Sequence, residues 1–107
     1  PLQIRVYEIT GLLFFGAADA IEHIVVKDFT SCLVLRMRGV PALDSTAMNA
    51  LQNLVKTCEG KGITLVFSHV NEQPMHVMEK AGFVELVGKE NFQSNISAAL
   101  KRAEEVI

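Results

Sequence analysis

The alternation and clustering of apolar residues divide the chain into strands and helices. Ile4 and Val6, with the interleaved Arg5, Tyr7 and Ile9, read as an amphipathic strand that turns at Thr10-Gly11. Leu12 to Phe15 is a short apolar strand, and the two pair as a hairpin at the edge of a sheet. From Ala17 to Lys27 the apolar residues Ala17, Ala20, Ile21, Ile24 and Val25 return at helical spacing. Leu33-Val34-Leu35-Arg36-Met37 is a nearly continuous apolar run, as expected of a central strand covered on both faces. A helix follows from Ser45 to Glu59, with Ala47, Met48, Leu51, Leu54, Val55 and Cys58 on one side and Gly60 and Gly62 ending it. Ile63 to Phe67 is a second buried strand. Asn71-Glu72-Gln73-Pro74 opens a third helix, since proline is tolerated in a first turn, and Gly82 closes it. Phe83 to Leu86 reads as a short strand, and Ser94 to Val106 as a last helix with Ile96, Ala99, Leu100, Ala103 and Ile107 inward. Strands alternating with helices imply crossover connections. The expected fold is therefore a small single α/β domain over 1–107, with a mixed, mostly parallel sheet and flanking helices.

Composition narrows the function. Half of the 107 residues are apolar, and ten basic residues against twelve acidic ones leave a net charge of −2. The basic residues are scattered, with no stripe to follow a phosphate backbone, so nucleic acid is not an expected partner. The mean hydropathy of +0.28 is high, yet no run approaches the roughly 18–20 apolar residues of a membrane span. The longest, Gly11 to Ala18, stops at Asp19. Cys32 and Cys58 fit no zinc spacing and read as buried small hydrophobes in a reducing compartment; neither a metal nor a cofactor is expected. No secretory signal pattern is present, and the start at Pro1, with Ile4 already in a strand, reads as a piece of a longer polypeptide.

Ligands of open α/β sheets bind beyond the carboxyl ends of the strands. There the chain places Arg36, Arg38, Asp44-Ser45-Thr46-Ala47 and, from the next strand, Ser68, His69 and Asn71. Asp44 or Ser45 can cap the following helix by accepting from an N–H of its first turn. Arg36 and Arg38 share a strand face, where they either pair with a neighbouring carboxylate or meet an anion near Ser45. Ser45 as a nucleophile would need His69 as base and an orienting acid; no such acid is legible. His23 and His76 read as surface residues, and Met37, Met48, Met75 and Met78 as core packing.

The segment Leu33 to Leu51, with Arg36, Arg38 and Asp44-Ser45-Thr46-Ala47, resembles the central strand, loop and helix of STAS domains. More specifically, it resembles those at the cytoplasmic C-terminus of sulfate permease (SulP) family anion transporters. Leu12 to Ala18, Val70 to Pro74, Ala81-Gly82-Phe83 and Gly88 to Leu100 agree in order, so the resemblance covers essentially the whole chain. It implies the STAS, or anti-sigma factor antagonist-like, fold and a regulatory rather than enzymatic role. The expected setting is the cytoplasmic face of a membrane, as part of an integral membrane protein. The implied partners are the membrane domain of its own parent transporter, another STAS domain or a cytosolic protein. Free-standing relatives antagonise anti-sigma factors and are phosphorylated on the serine of a D-S-x-G loop, which falls here on Ser45. This chain departs from that loop by carrying Ala47 in place of the glycine. Two alternatives accompany the transporter reading: an antagonist switched by phosphorylation of Ser45, and a nucleotide-sensing domain.

Overall fold

The computed structural model describes residues 2–10 and 30–107. Within them, four strands lie side by side in chain order and all run parallel. They are β1 (Ile4–Thr10), β2 (Cys32–Gly39), β3 (Thr64–Ser68) and β4 (Phe92–Gln93). The helices are α1 (Ser45–Lys61), α2 (Glu72–Lys80), α3 (Phe83–Val87) and α4 (Ile96–Val106). The expected Leu12–Phe15 strand, which would make the sheet mixed, and the expected Ala17–Lys27 helix with His23 lie outside the described residues.

Strand parity sorts the side chains into two cores. Leu33, Leu35 and Met37 of β2, with Leu65 and Phe67 of β3, face α1, α2 and α3. Cys32, Val34 and Val66 face Ala99 and Ala103 of α4. A strand buried on both sides cannot alternate apolar with polar, which is why β2 reads as one apolar run. All six residues expected on the inner face of α1 are buried, and Ala50 joins them. Gly60 lies within this helix. The chain is turned only at Gly62, whose left-handed backbone (φ 70°) lets its N–H donate to the Cys58 and Glu59 carbonyls.

Further expectations are overturned. Phe83–Leu86 is helical, not a strand: α3 turns Phe83 fully into the core with Val84 and Val87 packed beside it, leaving Leu86 57% exposed. The place beside β3 goes instead to Phe92–Gln93, where the Phe92 ring stacks on Phe67 with centroids 4.9 Å apart and planes 6° from parallel. Phe83 meets both rings edge-on, at 5.7 and 6.5 Å. Three interlocking aromatic rings outweigh the weak strand preference of a four-residue segment. Ile107, expected inward, is 48% exposed at the C-cap of α4, which ends at Val106. Met37, Met48 and Met78 are core residues as expected, while Met75 is half-buried.

Candidate functional site

The carboxyl end of the sheet carries the loop between β2 and α1, and this loop is held from both sides. At its far end Asp44 caps α1, its Oδ1 accepting from the Ala47 N–H at 2.9 Å. Ser45 and Thr46 follow in the first turn and are exposed. Ala47 is wholly buried. The position at which D-S-x-G loops carry glycine is thus a packing position here, and its methyl group belongs to the core.

The other hold comes from the start of α2. The Asn71 side-chain amide donates to the carbonyls of Arg38 at 3.0 Å and Val40 at 2.9 Å. Gln73 closes a two-way pair with Leu43: its Oε1 accepts from the Leu43 N–H at 2.8 Å, and its Nε2 donates to the Leu43 carbonyl at 3.3 Å. Asn71 stands at the N-cap of α2 yet makes no capping bond, because its amide is turned to the neighbouring loop. The sequence places Asn71 at this end of the sheet and both residues at the opening of a helix, but gives their side chains no partner. The signal available was two carboxamides, each able to donate and accept, in the turn after a buried strand.

The remaining expected residues are dispersed. Arg36 lies, by strand parity, on the α4 side of the sheet, opposite the face that α1 covers. There it faces Glu8 in register and approaches its carboxylate at 3.9 Å. This is the pairing with a neighbouring carboxylate, and among the described residues no hydrogen bond joins Arg36 to Ser45. Both side chains are more than a third exposed, so the pair contributes little to stability. Arg38 is exposed, and the loop is held through its carbonyl. His69 is exposed at the tip of β3 in a left-handed conformation (φ 54°), its N–H donating to the Gln93 carbonyl at 2.9 Å. No hydrogen bond joins His69 to Ser45 among the described residues. His76 is exposed, as expected.

The two cysteines are free and buried. Burial pushes both thiols up from 9.0 to about 11, against a smaller opposing pull from Arg102 on Cys32 and from Lys61 on Cys58. Neither thiol should be alkylated at about pH 8 while the fold is intact, and both should react once it is unfolded. Because the folded state holds these protons more tightly, the contribution is intact below pH 9. It is lost as pH rises toward 11, by at most about 1.4 kcal/mol per pH unit for each thiol. Urea midpoints measured from about pH 8 to 10.5 should fall more steeply than those of a Cys32→Ala/Cys58→Ala variant.

Among the described residues no cluster of His, Cys, Asp or Glu could hold a metal, and no helix is long and apolar enough to cross a membrane. The STAS domain family pattern matches residues 2–101. The chain belongs to the STAS domain family.

The solved structure of a sulfate transporter family protein from Wolinella succinogenes is similar to this STAS domain with a TM-score of 0.90 at 35% identity, covering 99% of this chain and 88% of that one. A SulP transporter STAS domain from Vibrio cholerae gives 0.83 at 30% identity, covering 98% and 84%. The putative sulfate transporter YvdB of Bacillus subtilis is 30% identical over 95 residues, which is 84% of this chain but 18% of that protein. The STAS domain thus spans less than a fifth of the length of that curated relative.

Proposed function

We propose that this STAS domain is the cytoplasmic regulatory module of a SulP-type anion transporter, acting through protein contacts made by the β2–α1 loop and not through catalysis. The observation that carries this reading is the double hold on the loop. Four side-chain hydrogen bonds from Asn71 and Gln73, together with the Asp44 cap, fix a backbone whose outermost side chains, Ser45 and Thr46, are exposed. A surface ordered in advance loses less entropy when a partner docks, which favours a contact patch. A nucleophilic site would also need a base beside Ser45, and none is hydrogen-bonded there among the described residues. The relatives are transporters or domains of them, which supports a membrane domain as the first partner.

The test is anion uptake by the parent transporter in proteoliposomes. Deleting this domain should change the uptake rate. So should Ser45→Lys/Thr46→Lys, which alters the patch at two exposed positions while leaving the melting temperature of the isolated domain within a few degrees. Uptake indifferent to both changes would overturn the reading, as would substrate turnover by the domain that Ser45→Ala abolishes.

A further inference from the structure

Two adjoining hollows, of about 720 and 340 Å³, run from the side of α2 to the tip of β4 and share Val70 and Met75. Their apolar lining is Val70, Met75 and Phe92, none fully buried in the core. Glu72 and Glu79 stand on the rim two helical turns apart, about 10 Å along the axis. Both are exposed and neither has an ion-pair partner among the described residues, where His76 lines the larger hollow and His69 the smaller but no Lys or Arg lines either. An apolar floor beneath unpaired carboxylates spaced at two turns complements a helix with apolar residues on one side and cations beside them.

We infer that this groove docks a Lys/Arg-rich amphipathic helix. The inference rests on the cytoplasmic placement proposed above, because the cytoplasmic loops of membrane proteins are the ones enriched in Lys and Arg. The occupant is such a loop of the parent's own membrane domain. The groove also shares a residue with the β2–α1 loop: Gln73 lines the larger hollow and holds Leu43 by both its amide atoms. Docking on α2 is therefore felt at the loop.

A synthetic helix of Leu and Lys, with leucines at i, i+3, i+4 and i+7, is titrated into the isotope-labelled 107-residue chain at low salt. Saturable amide shifts are expected at Met75, His76, Phe92 and Leu43, with binding that weakens as salt is added. The matched Leu–Glu helix should not bind. Glu72→Lys/Glu79→Lys should weaken the Leu–Lys helix by about tenfold or more, and Glu72→Gln/Glu79→Gln by less, both residues being exposed. Equal affinity for the two helices, unchanged affinity in the charge-reversed variant, or shifts confined to other surfaces would overturn the inference. So would co-sedimentation of the chain with anionic phosphatidylglycerol vesicles through this face. Any of these results leaves the uptake test of the regulatory role standing, and an indifferent uptake test leaves the titration standing.

Discussion

Replacing Phe67 with alanine is expected to remove about 3–5 kcal/mol of folding stability. Phe67 has no exposed surface, and it is the ring on which the carboxyl end of the sheet is assembled. Phe92 stacks on it and Phe83 meets its edge, so the truncation leaves a cavity and also takes away the aromatic partners that seat α3 and β4. The two-residue β4 pairs with β3 only through Phe67–Phe92 and Ser68–Gln93, too few ladder bonds to hold it without the stacked ring. Chemical denaturation should therefore show a lower midpoint, and amide exchange should show His69, whose N–H donates to Gln93, losing protection more than residues of β1 do. Phe67→Leu, which keeps most of the apolar volume, should cost distinctly less. A Phe67→Ala variant within 1 kcal/mol of the parent would mean that the aromatic cluster does not hold this edge.

Asn71→Ala should cost about 1–3 kcal/mol, through two carbonyls that lose their donor. Asn71→Asp should cost at least as much, although aspartate is among the preferred N-cap residues. Its carboxylate cannot donate, and it would set negative oxygens against the Arg38 and Val40 carbonyls that the Asn71 amide now holds at 3.0 and 2.9 Å. The order of the two variants separates the roles. If Asn71 served mainly to cap α2, Asn71→Asp would be the milder change. If it clamps the β2–α1 loop, Asn71→Asp is the more disruptive one. Thermal melts rank the variants, and exchange at the Leu43 amide reports whether the loop has come free.

Much of the architecture was legible because burial on both faces leaves a plain mark. β2 and β3 announced themselves as short apolar runs, and the inner face of α1 was readable from 3.6-residue spacing, down to Cys58. A cap by Asp44 or Ser45 was legible for a local reason, since capping joins a side chain to an N–H a few residues away, and the structure assigns it to Asp44. Phe83–Leu86 reads as a strand yet forms the start of the Phe83–Val87 helix because four apolar-rich residues fit either period, and only the aromatic cluster arbitrates between them.

Arg36 shows the same boundary at the candidate site. Parity put it on one face with Arg38, but not on which side of the sheet α1 would come to rest. The crossover places α1 over Leu33 and Leu35, and Arg36 faces the other side with Glu8. The roles of Asn71 and Gln73 were invisible for a related reason, since their partners lie about thirty residues away along the chain. By itself, then, the amino-acid order determined the buried strands β2 and β3, the inner face of α1, the presence of a cap at its start and the family, because each is written in residues near one another or in matched spacing. Only the tertiary structure decided which face Arg36 occupies, what clamps the loop and which segment forms the sheet edge. Those outcomes depend on contacts between distant segments, whose pairing follows from how the helices pack onto the sheet.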